Sequence, residues 1–404
     1  MAKHHEFVEA RGHLVDSHVM EEMFDTIVAH EGAFQVEEFQ IGRTNVDESY
    51  LRMRIEAPSE EIMGKLLQDL IGLGCGTVNH ENAELQVAEK DRCAPEDFYS
   101  TTNHRTQVRL GGHWVDVIRQ RMDAAIVVDN RTAQCRRLRD IRAGDKVVCG
   151  QHGIRVLPEA KERDRLAFAF MSTGVSSERQ VEGAVRQTAG LIKQTKEEGK
   201  RVIVVAGPVV VHTGSGPALE SLIRHGFVDA LLAGNALGVH DCEAALIGTS
   251  LGVRLSDGRQ SEHGHRNHMR TINTIYHCGG VRQAVEQGKI SSGILYECIK
   301  NNVPFVLAGS LRDDGPLPDT ITDMNAAQDA YAKHLEGAGL VLCLGSMLHS
   351  IATGNMLPSW VKLVCVDINP AVVTKVSDRG TGQAIGLVTD AGLFLQTLDR
   401  SLTG

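Results

Sequence analysis

The 404 residues are enough for two or three domains with a sizeable core. A hydrophobic share of 42%, a charged share of 23% and a net charge of −9 describe an ordinary globular chain and argue against nonspecific binding to nucleic acid or anionic membranes. No apolar run approaches the roughly 18 residues that span a bilayer, the charged start is no secretory signal, and nine scattered cysteines without a C-x-x-C pair fit buried thiols in a reducing cytoplasm.

Residues 12–90 read as a small α+β unit. Val19 to Ala29 carries helical spacing, Ala33 to Gly42 and Tyr50 to Ala57 alternate as strands, and Met63 to Leu73 is a second helix stopped by glycines. This order predicts a ferredoxin-like layer with a scaffolding or oligomerising role, so a homo-oligomer is expected. A loop follows, Asp97-Phe98-Tyr99-Ser100-Thr101-Thr102-Asn103-His104-Arg105-Thr106, whose hydroxyls, amide and cations suit either a generic polar loop or a ligand-facing segment. Residues 107–158 read as short strands split by Gly111-Gly112, Asp129-Asn130 and Ala143-Gly144-Asp145, a small β-barrel-like unit.

From about residue 180 helix and strand alternate. Val181 to Gly199 is an amphipathic helix; Arg201 to Ala206, Val228 to Leu232, Pro304 to Ala308, Leu340 to Leu344 and Leu363 to Val366 are apolar runs of buried parallel strands. The fold class is therefore α/β, a Rossmann-like doubly wound parallel sheet preceded by two small units. The expected division is 1–98, 99–178 and 179–404. Small or polar residues end several strands: Thr213-Gly214-Ser215, Gly234-Asn235-Ala236, Asp313-Asp314 and Gly345-Ser346. Ligands of such sheets bind at the strand carboxyl ends. Asp367 closes a strand about 22 residues after Gly345, where a dinucleotide fold places the acid that holds ribose hydroxyls, although G-x-G-x-x-G is absent.

Thr213-Gly214-Ser215-Gly216 before Pro217 could capture phosphate with backbone N–H groups, or be a tight turn. Ser261-Glu262-His263-Gly264-His265-Arg266-Asn267-His268 has histidines but no zinc pattern, so no metal is expected, and the stretch reads as a loop that closes over substrate or as a solvated surface loop. Lys375 could neutralise a carboxylate, act as a base, or be solvated.

The runs Glu297 to Ser310, Arg312 to Pro318, Met347 to Pro358 and Val366 to Lys375, with Ser100-Thr101-Thr102-Asn103-His104, resemble the archaeal-type ornithine cyclodeaminases. The same module ends the cyanobacterial arginine dihydrolase/ornithine cyclodeaminases and is related to the conserved region of lysine-oxoglutarate reductase/saccharopine dehydrogenase. Ser172-Thr173-Gly174-Val175-Ser176-Ser177-Glu178 departs from the family's Ser-Ser-Glu-Val-Ser-Ser-Glu by the loss of one acid.

The resemblance implies a bound NAD and conversion of ornithine to proline and ammonia, with hydride leaving the substrate Cα and later returning to it. It implies NAD contacts at Asn235, Ala236, Asp314, Ser346, Met347, Leu348, His349, Asp367 and Ile368, and catalytic candidates at Asn103, His104, Asp313 and Lys375. It implies no arginine hydrolysis, since the dihydrolase domain is not in this sequence. Two other readings compete: an NAD-dependent amino-acid dehydrogenase that releases NADH, and a non-catalytic NAD-binding regulator.

Overall fold

The computed structural model describes residues 4–12, 14–15, 19–43, 47, 49–77, 81–157, 177–255, 259, 266–313, 315–379 and 384–404. The chain divides into two compact units: one is Met1–Arg165 with Asn355–Trp360, the other Leu166–Gly354 with Val361–Gly404.

The first unit begins with β1 (His4–Gly12), α1 (Val19–Ala29), β2 (Ala33–Gln40), β3 (Ser49–Ala57), α2 (Glu60–Gly72) and β4 (Cys75–Thr77). They form one antiparallel sheet in the order β2-β3-β1-β4, which is the ferredoxin-like arrangement. Strand β3 alternates strictly between buried and half-buried positions, so Leu51, Met53 and Ile55 join the helix residues Met23, Ile27, Leu66 and Leu70 in the core. The other face carries Arg52 and Arg54. Ser59 caps α2 by accepting the Ile62 N–H at 3.2 Å, with Glu60 and Glu61 in the first turn where the helix dipole favours them.

A second sheet in this unit takes β5 (Glu84–Val87), β6 (Arg105–Leu110), β7 (His113–Ile118), β8 (Ala125–Asp129), β9 (Thr132–Arg136), β10 (Lys146–Cys149) and β11 (Ile154–Leu157), in the order β11-β6-β7-β9-β8-β10-β5. β5 pairs with β10, so this sheet starts before residue 98, where the sequence reading divided the chain. Its hairpins turn where glycine and asparagine allow positive φ: Gly111 and Gly112 at 58° and 85°, Asn130 and Arg131 at 44° and 68°.

The second unit runs α3 (Ser177–Glu197), β12 (Arg201–Ala206), α4 (Val209–His212), α5 (Gly216–Arg224), β13 (Ala230–Gly234), α6 (Asn235–Ile247), the short pair β14 (Thr249–Ser250) and β15 (Val253–Arg254), α7 (Asn267–Cys278), α8 (Val281–Glu286) and α9 (Ile294–Lys300). It continues through β16 (Phe305–Ala308), β17 (Thr320–Ile321), α10 (Met324–Leu335), β18 (Ala338–Leu344), α11 (Met347–Met356), β19 (Lys362–Asp367), α12 (Pro370–Arg379), β20 (Ala384–Val388) and α13 (Ala391–Thr403). The all-parallel sheet has the order β17-β16-β13-β12-β18-β19-β20.

Strand order reverses at β12, whose neighbours are β13 and β18, so the topological switch point lies between β12 and β18. β18 is buried at all seven positions because helices cover both faces. Val202, Val204, Leu340, Leu342 and Val364 pack with Leu219, Leu222, Phe394 and Leu395 on one side. The alternate residues Ile203, Val205, Val341 and Cys343 are buried on the other. Truncating such a side chain to alanine costs about 2–5 kcal/mol.

Candidate active site

At the carboxyl edge of the parallel sheet the backbone comes very close together. A Cβ on Gly207, just after β12, would land on the carbonyl oxygen of Gly345, just after β18. Gly345 itself has φ +57°, and a Cβ there would strike Val209 Cγ1. Both positions therefore require glycine, because the two strand-end turns pack directly against each other and against α4. At the end of β13 the Cβ of any residue replacing Gly234 would stand 2.7 Å from His349 Cε1, so the imidazole lies directly over that strand end.

His349 is fixed from its own helix, where its Nδ1 is 2.9 Å from Ser346 Oγ. Burial holds its pKa below the ordinary histidine value, opposed by the charge of Asp313. Burial therefore favours the neutral ring. Tyr331, whose hydroxyl donates to the Ala233 carbonyl at 2.8 Å, stands beside it with ring centroids 6.2 Å apart.

Asn235 is buried, and its Oδ1 accepts from Leu317 N at 3.0 Å and Thr320 Oγ1 at 2.9 Å. It therefore shapes the loop after β16. In that loop the Asp313 carboxylate accepts from Ser310 N at 2.7 Å and from Ser310 Oγ at 3.3 Å. Asp367 ends β19 half-buried, with one oxygen accepting the Asn369 N–H at 2.8 Å. Ile368, next to it in the chain, is 74% exposed, and Leu348 and Met347 at the start of α11 are exposed as well. Ala236 lies in the first turn of α6.

The structure thus brings Gly234, Asp313, Ser346 and His349 to one edge. Lys375 stands exposed on α12 with no hydrogen bond among the described residues. Asp314, the Ser172–Ser176 motif and the Ser261–His265 loop lie outside the described residues.

Asn103 and His104 belong to the first unit. Their loop is latched to the second sheet: Tyr99 N donates to Val148 O at 2.9 Å, Thr101 N to Ala124 O at 2.9 Å, and Thr101 Oγ1 to Arg121 O at 2.8 Å. The buried Asn103 accepts Ser359 N on its carbonyl at 2.9 Å, and Arg105 lies 4.6 Å over the Trp360 ring. That makes the segment 355–360 part of the same support.

Of the two readings of the Thr213–Gly216 stretch, the tight turn is the one the structure favours: the Thr213, Gly214 and Ser215 amides are occupied internally, on Val209 O, Val211 O and Val210 O. Its hydroxyls face Gly392 at the start of α13, where a Cβ would stand 2.5 Å from Ser215 Oγ and 2.6 Å from Thr213 Oγ1. The turn is a packing joint between α5 and α13.

The sequence reading passed over a buried polar cluster beside it. Glu243, fully buried on α6, accepts from Thr249 Oγ1 at 2.7 Å and Gly252 N at 3.1 Å, and its other oxygen is 3.3 Å from His240 Nδ1. Asn267 Nδ2 donates to Thr249 Oγ1 at 2.9 Å. The His240 ring meets His212 with centroids 4.6 Å apart, and His212 Nδ1 is 2.6 Å from Ser250 Oγ. Burial pulls His212 down to about 4, helped by His240. Burial pushes Glu243 up, but the bonds from His240, Thr249 and Gly252 outweigh it and leave the carboxyl below its ordinary value. A histidine and a glutamate three apart on one helix were the available signal. No helix among the described residues is long and apolar enough to cross a membrane.

Family models match the whole architecture. Residues 186–398 match the Rossmann fold of the C-terminal part of ArgZ-like arginine dihydrolases, residues 105–185 its first region, and residues 5–104 the LOR/SDH bifunctional enzyme conserved region. The ornithine cyclodeaminase of Methanocaldococcus jannaschii is 49% identical over 403 residues, covering 98% of this chain and 95% of its own. The apo structure of cyanobacterial ArgZ is 43% identical with a TM-score of 0.85 over 100% of this chain and 58% of that one. The ternary complex of AgrE with ornithine and NAD⁺ is 46% identical with a TM-score of 0.54 over 99% and 57% respectively. This chain thus spans a little over half the length of those two proteins. From the first strand to the last helix, it belongs to the family formed by the C-terminal module of ArgZ-like enzymes.

Proposed function

We propose that this protein is an ornithine cyclodeaminase, an ammonia-lyase that converts ornithine to proline and ammonia with a bound NAD. The observation that carries the reading is the likeness, over nearly the full length of both chains, to the archaeal enzyme of that name. The described residues fit the cofactor. The start of α11, at Met347 just after β18, offers backbone N–H groups to a pyrophosphate, and Asp367 with uncovered Ile368 and Leu348 suits an adenosine ribose and its base. When bound, NAD supplies a reversible hydride acceptor for the substrate Cα.

The chain's own residues have the remaining tasks. Ser346 orients His349 over the end of β13, where the ring nitrogen not held by Ser346 can make one hydrogen bond toward a ligand. Asn235, Ala236 and Met347 are assigned to the cofactor edge, and Asp314, outside the described residues, is assigned to the cofactor as well. Asn103 and His104 are assigned to the substrate. We give Lys375 no step. Curling ornithine so that its δ-amine faces the oxidised Cα makes ring closure effectively unimolecular, and excluding water keeps the hydride for return. We also place the enzyme in the cytoplasm as a homo-oligomer, supported by the uncovered edge strand β2 with its exposed Phe34 and Val36. Light scattering that finds a monomer would remove that assignment.

The test is ornithine deuterated at Cα, incubated with trace NAD⁺. Proline keeping the label at its α-carbon, with ammonia released and no NADH accumulating, is the expected result. Label on released NADH would make the protein a dehydrogenase, and unconsumed ornithine would make it a binding protein.

A further inference from the structure

The helices α1 and α2 pack on one face of the ferredoxin-like sheet, against Val8 and Ala10 of β1 and Leu51, Met53 and Ile55 of β3. The opposite face carries Phe7, Glu9 and Arg11 from β1 and Tyr50, Arg52 and Arg54 from β3, all exposed or half-buried. A solvated antiparallel face is the ordinary reading, and the composition argues against it. Strands β1, β2 and β3 hold no lysine, while arginines lie on aromatic rings: Arg11 is 4.8 Å over Tyr50 and Arg52 is 5.5 Å over Phe7. Arginine and aromatic residues are enriched, and lysine depleted, where one protein meets another. Arg52 has no hydrogen bond or ion pair among the described residues, and its Nε is buried, so a half-buried guanidinium stands without an anion. An open cleft of about 420 Å³ between Arg11, Glu38, Gln40, Ser49 and Tyr50 indents one end of the face.

The charges say what fits there. On this face the directly opposed residues of β1 and β3 are Glu9 and Arg52, Arg11 and Tyr50, Phe7 and Arg54, and His5 and Glu56. Each pair sets a cationic or imidazole group against a carboxylate or an aromatic ring, and β2 adds Glu38 opposite Arg52. A partner of one charge sign, such as nucleic acid or an anionic membrane, meets repulsion from Glu9, Glu38 and Glu56. The face is instead its own complement. A two-fold axis parallel to the strands, between β1 and β3, turns β1 of one copy over β3 of the other. Position along the strands is kept, so Glu9 of one copy meets Arg52 of the other, Arg11 meets Tyr50, and Phe7 meets Arg54, each contact being made twice.

We propose that this open sheet face is the contact between two copies of the chain, closed about that axis, with Glu9 and Arg52 as its central charge pair. This deepens the homo-oligomer reading and rests on it. Arg52 gains the carboxylate it lacks, so its guanidinium leaves water as a paired group. The cleft beside Tyr50 takes the aliphatic stem of Arg11 from the second copy.

The experiment is sedimentation velocity on full-length chains, with folding checked by circular dichroism. Arg52→Glu and Glu9→Arg, each alone, set like charges against each other twice across the axis. Each is expected to shift the wild-type species to one of half its mass. Mixing the two variants in equal amounts should restore the wild-type mass, because both central contacts of a mixed pair again join opposite charges. An assembly unchanged by either substitution overturns the proposal and leaves the face to solvent or to a different protein. Dissociation that mixing does not rescue also overturns it, since the two residues then do not face each other. If a charge-reversed chain does not fold, Arg52→Gln decides: association weakened about tenfold or more supports the face, and an unchanged dissociation constant overturns it. A wild type that sediments as a monomer overturns the homo-oligomer reading itself, which is distinct from a wild-type oligomer that the substitutions leave intact.

Discussion

The two units of this chain use sheets in opposite ways. In the ferredoxin-like sheet the strands are antiparallel, β3 alternates between buried and half-buried residues, and strand ends fall on both edges. In the second unit seven parallel strands send every carboxyl end to one edge, and β18 shows no alternation because both faces are covered. Parallel direction is what gathers Gly207, Gly234, Gly345, Asp313 and His349 from distant parts of the sequence. The antiparallel sheet sets polar residues on one face instead, where Tyr50 donates to Glu9 at 3.1 Å, and Arg155 from β11 of the neighbouring sheet stands 3.6 Å from the same carboxylate. Substitutions of the close-packed glycines at the parallel edge should therefore damage stability and ligand binding together, and surface substitutions in the ferredoxin-like sheet should leave ligand binding intact.

The largest effect is expected at the close-packed glycines. Gly345→Ala forces a positive φ on alanine and a clash with Val209, and Gly207→Ala meets a backbone carbonyl that cannot swing away. Each should lower the unfolding free energy by about 3 kcal/mol or more in urea titrations and abolish NAD binding. Wild-type stability in either would mean the strand ends are not packed as described.

Next is Asp367→Ala, which should weaken NAD binding by about 1–3 kcal/mol, the order of a charged hydrogen bond, while unfolding is little changed. It should also relax discrimination against NADP, because the carboxylate no longer repels a 2′-phosphate. Calorimetry on both nucleotides reads this directly. Equal NAD affinity in the variant would remove Asp367 from the ribose.

The third effect is a dependence on pH. His212 is held neutral by burial, with a folded pKa of about 4 against roughly 6.5 when unfolded. Its contribution is fully present above pH 6.5 and is lost as pH falls from there toward 4, because the unfolded chain binds the proton first. After discounting for its half-buried position, about 1–2 kcal/mol should disappear across that window. In His212→Gln the slope of stability against pH should flatten there. An unchanged slope would show that other groups carry the acid sensitivity.

The smallest effect should be a gain. Gly64 sits inside α2 with open space where a Cβ would go, so Gly64→Ala should stabilise by about 0.5–1 kcal/mol and leave turnover untouched. A loss of turnover in this variant would break the separation between the two sheets.

What could be read from the sequence and what could not follow from the same contrast. β12 and β18 were legible because a strand covered on both faces must be a continuous apolar run. α1 and β3 were legible because one-sided burial imposes a period of 3.6 or 2. Charged β1 and small-residue β20 carried neither pattern, and α6 through α9 were missed; α6 is buried over most of its surface and shows no polar face to mark it.

Local chemistry alone determined where turns occur and which strand ends carry small and polar residues. Only tertiary packing decided what those residues do. The same four residues Thr213–Gly216 suit an anion cradle or a joint, and the approach of Gly392, 176 positions after Gly216, settled it as a joint. Asp313 and His349, far apart in the chain, became neighbours through the strand order. Glu243 is an unremarkable acid in the sequence, and its meaning depends on Thr249, Gly252, Asn267 and His212 closing around it. Burial and long-range partners are properties of the folded chain, because desolvation and hydrogen bonding act between groups that sequence order does not place together.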